Sequence, residues 1–237
     1  MLLRIRSVLF WISTVLLAII VGMLGLVTLL TMRPAVIAYV PYLWSTGTVY
    51  LMRWICGLKS EVIGLENLPK KPFIVACKHQ SMWETVFLFT VFINPAFILK
   101  KELCKIPIYG WYIKFGGMIS VDRSKASSVK EMPKQVKKVF DDNRVLVIFP
   151  EGTRVAVGGD VAYKPGIYAV HKDHVDTPIV PAAVNSGLFW NKTSFLIHPG
   201  TVKIKFMPPI IGEYSKDNLL STLKDTIDSE SQKLLKQ

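Results

Sequence analysis

The sequence predicts an α/β fold: a mostly parallel or mixed sheet flanked by helices, preceded by an N-terminal membrane helical hairpin. Three observations carry that reading. After Gly57, short β-rich apolar runs alternate with longer helical segments, the pattern of a sheet covered on both faces. Before it, residues 8–30 form a run of 23 residues without a charge. The charge divides at the same place. Residues 1–58 hold four arginines and no acidic residue, whereas 59–237 hold 25 lysines and arginines against 17 acidic residues, which is +8 of the chain's +12. The division predicts a membrane anchor over 1–58 and one globular domain over 59–237.

The uncharged run VLFWISTVLLAIIVGMLGLVTLL covers about 35 Å as a helix, enough to cross a hydrocarbon core of roughly 30 Å. Fifteen of its residues are Leu, Ile, Val or Phe, and each favours insertion by roughly 0.3–0.6 kcal/mol. A cleaved secretory leader has a shorter apolar region of about 7–15 residues, so an uncleaved transmembrane helix is expected. Residues 34–52 are also uncharged, but only six are Leu, Ile, Val or Phe, and Pro41 removes a helical hydrogen bond. Tyr39, Tyr42, Trp44, Tyr50 and Trp54 suit a headgroup interface. A kinked helix that packs on the first, or lies shallowly in the membrane, is favoured over a second span. Arg4 and Arg6 at one end, and Arg53, Lys59, Lys70 and Lys71 at the other, place both ends of the hairpin and the globular part in the cytoplasm.

Beyond the anchor, PFIVACK (72–78) predicts a buried strand and SMWETVFLFTVF (81–92) an apolar helix directly after it. AFILKKEL (96–103) predicts a strand running into a loop or short helix. GMISVDR (117–123) predicts another strand, and SSVKEMPKQVKKVF (127–140) an amphipathic helix despite Pro133. VLVIFP (145–150) has the uninterrupted apolar character of a central strand. A helix near 168–174, strands at 177–184 and 201–206, and a terminal amphipathic helix at 218–236 complete the pattern.

Several chemistries are excluded at once. There is no P-loop, dinucleotide fingerprint, H-E-x-x-H or G-x-S-x-G, and the basic runs are too short for a nucleic-acid stripe. The excess positive charge is matched to anionic lipid instead, with no nucleic-acid partner expected. Cys56, Cys77 and Cys104 contain no C-x-x-C pair, so neither a disulfide framework nor a zinc site is expected; Cys56 and Cys77 are read as buried small hydrophobes. His171 and His174 have the spacing of a metal pair but no further ligands, and are expected to be solvated helix residues. No metal is predicted.

Two constellations carry chemistry. In KHQSMWE (78–84), His79 stands where a buried strand gives way to a helix, and Glu84 follows five residues later. Positions i and i+5 lie about 140° apart on one regular helix. The pair meets only if His79 lies in the turn and Glu84 in the first helical turn. A carboxylate bonded to one imidazole nitrogen then fixes the tautomer and leaves the other nitrogen to take a proton. A surface histidine beside a capping Ser81 is the alternative. In FPEGTR (149–154) the best central strand ends where open α/β folds bind ligands. Gly152 permits close backbone approach, Thr153 offers a hydroxyl, and the forked cation of Arg154 suits phosphate. A turn with a structural Arg–Glu pair is the alternative there. GGMISVDR (116–123) and IVPAAVNSG (179–187) bring further strand ends to what can be the same edge.

These four motifs, in this order, resemble those of the glycerolipid acyltransferase family, over about 110 residues of core. Glu84 stands where that family is best known for aspartate, and Val155 where a serine is frequent. The resemblance implies direct acyl transfer without a covalent enzyme intermediate. His79, oriented by Glu84, acts as general base on the free hydroxyl of a lysophospholipid. The donor is the thioester of acyl carrier protein or of CoA, a co-substrate, with no other cofactor. It assigns acceptor phosphate to Arg154 and Arg123, with Lys100 and Lys101 as further candidates, and makes Glu151, Gly152 and Thr153 part of the acceptor pocket. The expected reaction is acylation of the sn-2 hydroxyl of 1-acyl-glycerol-3-phosphate at the bacterial inner membrane, facing the cytoplasm. Another lyso-lipid acceptor such as a lyso-ornithine lipid, a thioesterase in which water replaces the acceptor, and a non-catalytic lipid-binding protein remain open on the residues alone.

Overall fold

A computed structural model describes residues 1–122 and 126–236, apart from the side chains of Pro34 and residues 126–131. Helices α1 (Leu2–Leu24), α2 (Leu26–Leu29), α3 (Pro34–Ile37) and α4 (Tyr39–Leu51) form the N-terminal part, and α4 widens into a π-helical turn over Met52–Cys56. Strand β1 (Leu58–Ile63) leads to β2 (Phe73–Cys77), α5 (Trp83–Val91), β3 (Ala96–Lys100), a 3-10 turn at Lys101–Lys105 and α6 (Tyr109–Phe115). Then come β4 (Ile119–Val121), α7 (Ala126–Asp141), β5 (Val145–Ile148), α8 (Gly166–His171), β6 (Ile179–Val184), β7 (Gly200–Phe206) and α9 (Lys216–Leu235). The helix predicted over 127–140 runs through Pro133 as expected. β1 and α6 are elements that the residue pattern did not announce.

The seven strands form one sheet in the order β1-β7-β6-β2-β5-β3-β4. β2 pairs in parallel with β5 and β6, and β3 with β5 and β4. β7 runs antiparallel to β6, and β1 parallel to β7, which makes the sheet mixed. Alternate residues of β2 face opposite layers. Phe73, Val75 and Cys77 join Trp83, Leu88, Phe97 and Phe206 on one side. Ile74 and Ala76 join Val136, Val139, Leu219 and Leu223 of α7 and α9 on the other. Both Cys56 and Cys77 are buried thiols. His171 is a correction: it is buried rather than solvated, with its ring 6.1 Å from that of Tyr214. Its place on the inner face of α8, beside Ile167 and Val170, decides this. His174 sets its ring edge-on to Phe140 at 4.9 Å, and no cluster that could hold a metal occurs among the described residues.

α1 is long and apolar enough to cross a membrane by length and composition. It starts earlier than the uncharged run and ends at Gly25. Ile5, Leu9, Ile12, Leu16, Ile19 and Met23 recur at helical spacing and are exposed, so one face of α1 is entirely apolar. The opposite face is docked. Thr14 and Thr48 share a hydroxyl–hydroxyl bond of 2.9 Å, and Gly47 admits Leu17, which a Cβ there would meet at 2.6 Å. Further contacts reach the α/β core: Trp11 Nε1 donates to Phe195 O, Ile197 N to Ser7 Oγ, and Tyr112 OH to Gly22 O. Phe10 is buried against Trp11 and Trp190. The helical hairpin is therefore laid along the domain at several points of its length.

Candidate active site

The carboxyl ends of β2, β3, β4, β5 and β6 share one edge of the sheet, because these strands are mutually parallel. β1 and β7 begin at that same edge, where Gly200 N donates to Gly57 O, so the helical hairpin enters the domain beside it. His79 sits in the turn after β2, and Glu84 is the second residue of α5. This turn-to-helix geometry closes the five-residue spacing: His79 Nδ1 lies 2.9 Å from Glu84 Oε1. The longer glutamate is accommodated because its carboxylate is held from several sides. Oε1 also accepts the backbone N–H groups of Gln80 and Ser81, and Oε2 accepts the hydroxyls of Ser81 at 3.1 Å and Ser186 at 2.8 Å. Ser81 Oγ in turn accepts the N–H of Trp83, the first residue of α5.

Glu84 is fully buried. Burial alone pushes its carboxyl upward, but the hydrogen bond and charge of His79, with the Ser81 N–H, outweigh it and hold the group below the ordinary carboxylate range. An ionised Glu84 is acceptor only, so His79 donates to it from Nδ1, which selects the tautomer whose lone pair is on Nε2 whenever the ring is neutral. Among the described residues, no hydrogen bond engages Nε2. The imidazole lies flat on Phe149, ring centroids 4.0 Å apart and 16° between planes.

FPEGTR meets His79 from the neighbouring strand β5. Glu151 Oε1 accepts the His79 N–H at 3.1 Å, and Val155 N–H donates to His79 O at 2.8 Å. Both backbone groups of His79 are thus fixed by one turn, which Gly152 makes possible with φ of 69°. Glu151 is buried, and its contacts run to His79 and to Lys78 Nζ at 3.5 Å, beneath the imidazole turn. Burial raises its carboxyl above the ordinary range, against the opposing pull of Lys78 and the His79 N–H. Thr153 is exposed. Arg154 is half-buried, next to the residue that binds His79 O; its own carbonyl accepts Lys192 Nζ. IVPAAVNSG closes the third side, where Ser186 reaches Glu84 and Gly187 N–H donates to Gln80 Oε1 at 3.0 Å.

Lys100 and Lys101 stand at the end of β3, beside β5, and both are exposed; Lys100 pairs with Glu102 at 3.5 Å. Arg123 lies outside the described residues. Lys78, Phe149 and Ser186 were quoted within motifs but had no function assigned from sequence. Arg144 was not singled out at all. It is buried at the opposite edge and donates to the carbonyls of Asn94, Pro95, Gly116 and Gly117. Burial lowers its pKa to about 10, with Asp142 acting in the opposite sense, so it remains charged at neutral pH.

The Acyltransferase family model matches residues 59–185, more than half of the chain. The chain belongs to the acyltransferase family. Its members include curated relatives named 1-acyl-sn-glycerol-3-phosphate acyltransferase. That of Pseudomonas aeruginosa is 35% identical over 171 residues, 72% of this chain and 66% of the relative. That of Saccharomyces cerevisiae is 30% identical over 207 residues, 77% of this chain and 66% of the relative. The chain therefore spans slightly under two thirds of the length of each of these two. That of Borreliella burgdorferi is 28% identical over 193 residues, covering 78% and 77%. The crystal structure of the 1-acyl-sn-glycerophosphate (LPA) acyltransferase PlsC from Thermotoga maritima has the same fold, with a TM-score of 0.81 over 99% of this chain and 96% of that one at 20% identity. An acyltransferase of this family with an exposed apolar N-terminal helix is a membrane-associated protein.

Proposed function

We propose that this acyltransferase moves a fatty acyl group from acyl carrier protein or CoA onto the sn-2 hydroxyl of 1-acyl-glycerol-3-phosphate, giving phosphatidic acid. The observation that carries the reading is the His79–Glu84 pair, 2.9 Å apart, with no partner on Nε2 among the described residues, at the edge of the sheet where open α/β folds bind ligands. The names of the relatives support the choice of acceptor.

The step balances without a covalent enzyme intermediate. His79 Nε2 takes the proton of the acceptor hydroxyl as its oxygen attacks the thioester carbonyl. The C–O bond forms, the C–S bond breaks, and the imidazolium returns its proton to the leaving thiolate. Glu84 stabilises the imidazolium throughout. Arg154, with Arg123, receives the acceptor phosphate, and Lys100 and Lys101 supply further positive charge at the next strand end. The segment tied to α1 through Tyr112 and Gly22 also exposes apolar and aromatic residues, Ile106, Tyr109 and Trp111. Tyr and Trp suit the headgroup zone, and Lys105 and Lys114 suit anionic lipid. This surface seats the enzyme on the cytoplasmic side of the bacterial inner membrane, with its site open to lipid acceptors.

The test is a panel of lyso-lipids offered to the purified full chain with an acyl thioester. Lysophosphatidic acid should be consumed fastest, and Arg154→Ala should raise the apparent KM for it. Preference for an uncharged or amino-acid-bearing acceptor overturns the choice of acceptor, and thioester loss to water alone overturns acyl transfer.

A further inference from the structure

Lys78, immediately before the base, is buried at the end of β2 with only 5% of its surface exposed. Its ammonium lies 2.6 Å from Asp228 Oδ1 on α9 and 3.5 Å from Glu151 Oε1. The same glutamate oxygen accepts the His79 N–H. A chain of contacts therefore runs from the C-terminal helix through Lys78 and Glu151 to the backbone of His79. Asp228 is itself fixed, by Lys224 Nζ at 3.0 Å and the Tyr163 hydroxyl at 3.3 Å. It lies beyond residue 185, where the family match ends.

The distances suggest what Asp228 does. A buried ammonium needs a close anionic partner. With Glu151 alone it would close up on that carboxylate, whose Oε2 has no hydrogen-bond partner among the described residues, and pull it away from the His79 N–H. Asp228 takes the shorter contact and leaves Oε1 to the His79 N–H. A cavity of about 180 Å³ beside the network, lined by Lys78, Gln80, Lys224, Asp228 and Ser231, gives Lys78 room to swing once its partner is lost. We propose that Asp228 is a positioning residue for the reaction, acting through Lys78 and Glu151 to hold the His79 turn, so that α9 belongs to the catalytic unit.

This inference rests on His79 being the base, and His79→Ala tests that part separately. If His79→Ala keeps activity, the base assignment falls. The positioning inference is read from full-length Asp228→Asn, which preserves shape and removes charge. Its kcat should fall roughly 10- to 100-fold, as for a small misplacement of a catalytic group. KM for both substrates should stay within about twofold. Leu223→Ala on the same helix, buried toward the sheet, serves as the control. It should lower the melting temperature at least as much yet keep kcat within about threefold. Should Asp228→Asn give no folded protein, Asp228→Glu carries the test, with kcat below a third of the parent supporting the inference. A parent-like kcat in the folded Asp228 variant, or parallel loss of kcat in the Leu223→Ala control, overturns it.

Discussion

Replacing Glu84 by glutamine leaves the shape of the side chain and removes its charge. In the ground state the change is tolerable: an amide oxygen can still accept His79 Nδ1, and the amide N–H groups can face Ser81 and Ser186 if those hydroxyls turn to accept. The difference falls on the transition state, when His79 becomes an imidazolium 2.9 Å from the carboxylate. At an effective dielectric of about 20 that contact is worth roughly 5–6 kcal/mol, an upper limit of about four decades in rate. The dipole of the amide returns part of it. The expected loss in kcat is therefore about 10²- to 10⁴-fold. KM for acceptor and donor should hardly move, because Glu84 is fully buried and its five hydrogen-bond contacts are all to the protein. The assay is release of free thiol from the acyl thioester, with lysophosphatidic acid as acceptor, alongside a urea melt to establish folding. A folded Glu84→Gln enzyme within tenfold of the parent in kcat would falsify the role given to this carboxylate.

Three further outcomes follow from the same geometry. Ser186→Ala deletes one of the two hydroxyls on Glu84 Oε2 and should cost about 1.5–3 kcal/mol in urea unfolding, the usual worth of a hydrogen bond to a charged group; a loss under 0.5 kcal/mol would show that Ser81 suffices. Glu84 also makes stability pH-dependent, since its folded pKa lies below the unfolded value of about 4.3. Its contribution is full above that value and is lost as pH falls through the lower folded one. The stability gap between the parent and Glu84→Gln should accordingly narrow between about pH 5 and pH 3, and a gap that widens on acidification contradicts the shift. Arg144→Met leaves four backbone carbonyls short of their donor at the edge away from the site. It should destabilise by about 3 kcal/mol or more while the folded fraction keeps its KM values, measured by denaturant titration and steady-state kinetics.

Much of this arrangement was legible in the chain. The run 72–78 is a buried strand because its residues can be apolar on both faces, and β2 does send alternate residues into two cores. The spacing of His79 and Glu84 allowed them to pair if a turn lay between them, and left a surface histidine as the alternative; the fold decides for the pair. β1 was missed for a physical reason. Lys59 and Glu61 interrupt it, and as an edge strand on β7 it has only one neighbour to satisfy. α6 was missed because it is short and keeps Tyr109 and Trp111 exposed, so it shows no apolar periodicity against the core. His171 went astray because a polar HKDH stretch hides which single member faces inward.

What the sequence by itself determined is the set of local devices: an uncharged helix, strands that end in polar turns, and a base and a carboxylate at a spacing that one turn can close. Those depend on neighbours a few residues apart, whose chemistry the chain order displays. Only the tertiary structure decided what fixes those devices. Ser186 reaches Glu84 across 102 positions, Glu151 reaches His79 across 72, and Asp228 reaches Lys78 across 150. Such bonds leave no local pattern, since a serine or an aspartate at a strand end or on a helix serves equally well in solvent. The sheet order, with β6, β2 and β5 side by side and parallel, brings the ends of three motifs (His79–Glu84, FPEGTR and IVPAAVNSG) to one edge and gives these residues their partners.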